Sequence, residues 1–243
     1  MEKENILGFD VSTILASTLV KKIFDDFNKN ISNFIVNINP EIVTKNYKNN
    51  KFKNILNAEK YQIPDGIGIV LASRLHRGKI KERISGIDLM NLICQKSINY
   101  DVKIFLYGSK DGIAEKAKEE LELAYPGINI VGTCSGYLDE QIVVNKIIDS
   151  EANILFVGLG SPKQENFIIE NRNKLKNIRI FMPVGGSFDV ISKTLKRAPN
   201  WIIKINLEWL YRLFQEPKRF FRQFNLLKFL FLIIFRRKTY EKN

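Results

Sequence analysis

The chain runs to 243 residues, 45% apolar and 26% charged, which fits a globular protein with a sizeable core and one or two domains rather than a disordered chain. Lys and Arg number 38 against 26 Asp and Glu, and the formal charge of +12 favours a polyanionic partner: nucleic acid, an anionic bilayer or a phosphorylated small molecule. Two cysteines, Cys94 and Cys134, exclude a disulfide framework or an all-cysteine zinc knuckle, and the single histidine, His76, excludes a His-rich metal site.

In chain order, Met1 to Asp10 is charged and has no apolar h-region, so no secretory signal is expected and the cytosol is the expected compartment. A helical pattern follows over Ser12 to Asn28, then a buried strand at Phe34-Ile35-Val36. Lys45 to Lys53, rich in Lys and Asn, reads as a solvated helix face or loop. A helix is predicted over Gly86 to Asn99, and Cys94 falls on it. Strands at Ile104 to Leu106, Ile128 to Val131, Ile154 to Val157 and Ile178 to Phe181 then alternate with helices over Gly112 to Ala124, Asp139 to Ser150 and Pro162 to Lys174. Cys134 is expected in a loop as an unpaired thiol. Strand followed by helix, repeated with short loops, predicts an α/β fold: a Rossmann-like, mostly parallel sheet with helices on both faces.

The end of the chain differs in kind. Residues 201–243 hold ten Lys/Arg and three Glu, carrying +7 of the total charge. Within them lies FFRQFNLLKFLFLIIF, Phe220 to Phe235, closed by Arg236-Arg237-Lys238. Its uninterrupted apolar part, Phe229 to Phe235, falls far short of the roughly 20 residues a spanning helix needs. A basic helix with bulky apolar residues fits the interface of an anionic membrane, with Phe220, Phe221, Phe224, Leu227, Phe231, Arg236, Arg237 and Lys238 as the contacts. The alternative is a helix docked on the protein's own core or on a partner subunit. Nucleic-acid binding is disfavoured, because the basic residues alternate with buried-type Leu and Ile and not with a repeating aromatic platform. The expected division is a Rossmann-like domain over 1–199 and an amphipathic helical appendage over 200–243.

Ligands of such sheets bind beyond the carboxyl ends of the strands, so the loops there are the candidate sites. Gly158-Leu159-Gly160-Ser161-Pro162 links a strand to a helix, where a helix N-terminus favours an anion; a tight turn is the alternative. Gly108 to Gly112 has the same pattern with weaker chemistry and reads as a turn. Asp65, in Pro64-Asp65-Gly66, is a candidate general base or a helix N-cap. Arg83 is a phosphate clamp or a surface residue, and His76 belongs to a basic exposed loop. No Asp-x-Asp pair is present to hold a divalent cation, so a diphosphate leaving group would be met by Arg, Lys and helix dipoles.

These pieces coincide with one family. Asn39-Pro40-Glu41, Pro64-Asp65-Gly66-Ile67-Gly68, Glu82-Arg83-Ile84-Ser85-Gly86-Ile87-Asp88 and Ile104 to Gly108 match its segments in the first half. Tyr125-Pro126-Gly127, Val157 to Glu165, Val184-Gly185-Gly186-Ser187-Phe188-Asp189, Arg197-Ala198-Pro199 and Glu208-Trp209-Leu210-Tyr211-Arg212-Leu213 match in the second. In number, order and spacing the chain resembles the WecG/TagA/CpsF glycosyltransferases over nearly its whole length, most nearly the TagA-like branch. The resemblance implies an inverting, metal-independent enzyme without a cofactor. It implies transfer of a sugar from a UDP-sugar to a polyprenyl-diphosphate-linked saccharide at the inner face of the cell membrane. For the TagA-like branch the sugar is N-acetylmannosamine and the acceptor carries N-acetylglucosamine, in wall teichoic acid synthesis. Glucose or uronic acid donors for exopolysaccharide are the alternative within the family. A non-catalytic nucleotide- and membrane-binding module is the alternative outside it.

By the family's pattern Asp65 is the expected base, and Asn39, Arg83 and Gln164 match pocket positions. Arg212, Arg219 and Arg222 match arginines of the C-terminal appendage. Gly158, Gly160 and Glu165 join these as expected substrate contacts. Asn37 is a further one, standing where the family often has Thr two residues before the Asn-Pro. Its amide changes the reach and donor count available to a sugar. An apolar tail also favours self-association off the membrane.

Overall fold

The computed structural model describes residues 1–215 and 220–235, the first four of the latter by backbone alone. The chain divides into two compact units: residues 1–15, 36–85 and 197–243 form the first, residues 16–35 and 86–196 the second.

The first unit opens on a hairpin, β1 (Lys3–Ile6) and β2 (Phe9–Ser12), paired antiparallel. Leu7 and Gly8 both have positive φ, as a two-residue turn between right-twisted strands requires. Ser12 therefore ends a strand and does not open a helix: α1 (Ala16–Asn28), of the second unit, starts four residues later than its apolar periodicity suggests. The remainder of β3 (Asn33–Ile38) leads through α2 (Pro40–Asn46) and α3 (Asn50–Ala58) to β4 (Tyr61–Pro64) and α4 (Ile67–Leu75). The soft stretch Lys45 to Lys53 is thus the end of α2 and the start of α3, with Phe52 buried and Asn49 capping α3 through its side chain. After residue 197 come α10 (Asn200–Lys204), α11 (Glu208–Gln215) and α12 (Phe220–Phe235).

The second unit holds α5 (Gly86–Ser97), β5 (Ile104–Gly108), α6 (Ile113–Ala124), β6 (Ile130–Cys134), α7 (Glu140–Asp149), β7 (Ile154–Gly158), α8 (Lys163–Asn171), β8 (Ile180–Pro183) and α9 (Ser187–Ile191). The strand order of the main sheet is β4-β3-β8-β7-β5-β6. The pairs β3/β8, β8/β7, β7/β5 and β5/β6 run parallel, and helices flank the sheet, as the strand–helix alternation predicts. Two strands sit later than expected: β6 begins at Ile130 and β8 at Ile180, because Ile128 and Ile178 are buried in the preceding turns rather than in the sheet. Cys134 accordingly ends β6 and is buried, as is Cys94 on α5.

The last helix is buried on one side and exposed on the other. α12 packs on α2 and α4 through Phe229, Leu232 and Ile233, all buried. Its other side leaves Phe224 57%, Leu227 63% and Phe231 59% exposed. Among the described residues no helix is long and apolar enough to cross a membrane. Arg219, Arg236, Arg237 and Lys238 lie outside the described residues, as do the side chains of Phe220, Phe221 and Arg222.

Candidate functional site

In the first unit the ends of β3 and β4 carry the candidate base. The backbone N–H of Asp65 donates to the Ile38 carbonyl at 2.8 Å, holding the two strand ends together. Gly66 then turns with φ +88°, a conformation that suits glycine, and α4 begins. Gly66 is the N-cap position and no side chain caps α4, so Asp65 is not spent as a cap. Asn39 serves two neighbours: its Oδ1 accepts from the Ile42 N–H at 2.9 Å, capping α2, and its side chain hydrogen-bonds the Asp65 carboxyl. Asn37, two residues earlier, is buried on β3.

Arg83 is held close by, through the Ile84 N–H donating to the Pro64 carbonyl at 2.9 Å. It is no surface arginine, since its side chain is only 13% exposed. Its guanidinium donates to Glu208, the first residue of α11, at 3.2 Å. Arg197 approaches the other oxygen of Glu208 at 3.5 Å, and Arg212, one helical turn on, lies 4.0 Å from it. Burial pushes the Asp65 carboxyl up from 3.8 to about 6, with Glu208 adding to the rise. Arg83, Arg212 and the Asn39 hydrogen bond pull in the opposite direction and lose. The result is a carboxyl poised to take a proton near neutrality, beside guanidiniums suited to phosphate oxygens. Among the described residues, no group of three or more His, Cys, Asp or Glu is placed to hold a metal ion.

The second unit carries the other expected contacts. Gly108 ends β5 with φ +136°, and a Cβ there would stand 2.5 Å from the backbone of Gly158 at the end of β7. These two glycines therefore let adjacent strand ends approach each other. Beyond them, Gly160 opens the turn into α8, where Gln164 and Glu165 are buried in its first turn. Gln164 donates to Glu165 Oε1 at 2.9 Å and accepts from the Gly185 N–H at 3.0 Å, tying this turn to the loop after β8. In that loop's helix, Asp189 accepts from the Ser109 hydroxyl at 3.3 Å. Strand-end loops of this composition suit an anionic nucleotide.

Asn37, Asn39, Asp65, Arg83 and Arg212 thus fall in one unit, and Gly158, Gly160, Gln164 and Glu165 in the other. Glu208 and Arg197 were visible only as members of sequence motifs. Nothing in their spacing predicts that a single buried carboxylate gathers three arginines.

The fold is a mostly parallel α/β sheet, and the candidate site sets one carboxyl of raised proton affinity beside clustered guanidiniums, a combination suited to acid–base chemistry on anionic groups. Residues 4–243 match the family described as Glycosyl transferase WecG/TagA/CpsF, and the chain belongs to that family: it is a glycosyltransferase. Among its relatives is the N-acetylglucosaminyldiphosphoundecaprenol N-acetyl-beta-D-mannosaminyltransferase of Bacillus subtilis (strain 168), 35% identical over 208 residues, which cover 85% of this chain and 81% of that protein. The protein of the same name from Staphylococcus aureus (strain MRSA252) is 33% identical over 244 residues, 99% of this chain and 95% of its own length.

Proposed function

We propose that this protein transfers N-acetylmannosamine from a UDP-sugar to polyprenyl-diphosphate-linked N-acetylglucosamine, with inversion at the anomeric carbon and without a metal ion. The names of its relatives support the sugar and the acceptor. The observation that carries the chemistry is Asp65, whose carboxyl holds its proton to about pH 6 beside Arg83, Arg212 and Glu208. The acceptor hydroxyl oxygen bonds to the anomeric carbon while the bond from that carbon to the diphosphate oxygen breaks. UDP leaves with the electron pair, and Asp65 takes the hydroxyl proton, a step typically worth 10² to 10⁴-fold. Arg83 and Arg212 stabilise charge growing on phosphate oxygens, a task guanidiniums perform in place of a cation. Asn37 and Asn39, in the same unit as Asp65, are assigned to sugar hydroxyls or the N-acetyl group, and Gly158, Gly160, Gln164 and Glu165 are kept as substrate contacts of the second unit.

A polyprenyl acceptor stays in the bilayer, so the enzyme must come to it. The exposed Phe224, Leu227 and Phe231 of α12 are assigned to the anionic inner face of the cell membrane, with the residues from 200 onward as the membrane-associating appendage. The test is UDP release by purified protein with prenyl-diphosphate-N-acetylglucosamine and individual UDP-sugars. Acceptor-dependent release from UDP-N-acetylmannosamine, unchanged by EDTA, is expected. Release from UDP-glucose or a uronate donor alone would overturn the donor assignment and point to Asn37 as its cause. EDTA inhibition reversed by Mg²⁺ or Mn²⁺ would overturn the metal-free step.

A further inference from the structure

Among the described residues Glu208 is one of three buried carboxylates, with a side chain only 7% exposed. Arg83 reaches one of its oxygens at 3.2 Å, while Arg197 at 3.5 Å and Arg212 at 4.0 Å approach the other. One buried carboxylate thus gathers three guanidiniums. Stability alone is a poor reason for such a cluster, because buried ion pairs often do no better than well-packed apolar residues of the same volume. The arrangement acquires a purpose from its neighbour: Arg83 and Arg212 both act electrostatically on Asp65, yet among the described residues neither forms an ion pair with it. A free guanidinium beside a carboxylate closes onto it, bidentately where the geometry permits. Here Arg83 and Arg212 are engaged by Glu208 instead.

We infer that Glu208 is a positioning residue, holding Arg83 and Arg212 off Asp65 so that the carboxylate stays open to the acceptor proton and the guanidiniums stay open to phosphate oxygens. The inference deepens the proposed function and rests on Asp65 as the base. Each guanidinium has five donors, so engagement by one carboxylate leaves most of them for a ligand. The charged or polar groups facing Asp65 are Asn39 at the start of α2, Arg83 before α5, and Glu208 and Arg212 on α11. Those facing Glu208 are Arg83, Arg197 and Arg212. Removing the charge of Glu208 takes from Arg83 and Arg212 the carboxylate that competes with Asp65 for them. Arg83 or Arg212 then pairs with Asp65, which binds its proton more weakly and is screened from the acceptor.

The test is the pH dependence of kcat/KM for Glu208→Gln, an isosteric change, with a thermal melt alongside. The acid limb is expected to move down by about one pH unit, with kcat falling on the order of 10²-fold, as for displaced catalytic groups. An acid limb at the wild-type position overturns the inference, because a merely structural role lowers the amount of active enzyme without moving its titration. If Glu208→Gln does not yield folded protein, Glu208→Asp carries the test. Charge is retained but drawn back by one methylene, so the limb is expected to stay while KM for the UDP-sugar rises; an unchanged KM overturns the inference. Asp65→Asn, measured in parallel, separates the two claims. Turnover by that variant refutes Asp65 as base, whereas a dead Asp65→Asn with an unmoved limb in Glu208→Gln refutes only the role of Glu208.

Discussion

Replacing Asp65 by Asn is expected to make the protein more stable at neutral pH while abolishing its turnover. The magnitude follows from proton linkage. Burial raises the folded-state carboxyl from the ordinary 3.8 to about 6, against the opposing pull of Arg83, Arg212 and Asn39. A carboxyl raised in this way holds its proton more tightly in the folded chain than in the unfolded one. Its ionisation therefore costs nothing below pH 3.8, costs progressively more between pH 3.8 and about 6, and costs the full amount above that. At about 1.4 kcal/mol per pH unit, the full amount is about 3 kcal/mol, an upper value because the side chain keeps some contact with solvent. The neutral amide is free of this cost. Thermal melts at pH 7.5 and pH 3.5 read the effect, which for a chain of this size corresponds to a rise of up to roughly 6–12 °C at the higher pH and none at the lower. A variant less stable than wild type at pH 7.5 would refute the reasoning, since Asp65 would then be a stabilising partner of the arginines, with a depressed proton affinity unsuited to a base.

Two further outcomes follow from packing. Gly108→Ala is expected to lower the melting temperature by the equivalent of about 3 kcal/mol or more, because the new methyl would stand 2.5 Å from the Gly158 backbone at φ +136°, and backbone cannot step aside; an unchanged melt contradicts that close approach. Leu227→Glu combined with Phe231→Glu is expected to leave the melt of the protein in water near wild type, since both side chains are exposed, and to abolish co-sedimentation with anionic liposomes. Retained liposome binding would remove this face of α12 from the membrane.

The parallel sheet was legible because β5, β7 and β8 are short apolar runs buried on both faces, set between helices of clear periodicity. The opening hairpin was not legible, since its turn has Leu7 in a left-handed conformation where Asn or Asp is the usual signal. The end of α2 and the start of α3 hid in the Lys/Asn-rich stretch Lys45 to Lys53, and the two side-chain caps, Asn39 before α2 and Asn49 before α3, resemble loop residues until the structure shows them accepting from Ile42 and Phe52. In the site, Asp65 was readable as a base or a cap, and only the geometry shows the cap position passing to Gly66. Glu208 was readable only as part of a motif, without its role as a partner of arginines. It lies 125 residues from Arg83, and no local pattern reports a contact over that separation.

Asp65 as the base is tested most directly by the pH dependence of kcat/KM for the wild-type enzyme, with Asp65→Asn beside it. Activity is expected to fall on the acid side with a midpoint near pH 6, and Asp65→Asn is expected to be inactive across the range. A wild-type profile that stays flat down to pH 4.5, or an Asp65→Asn enzyme that turns over with the same acid limb, would place the base elsewhere.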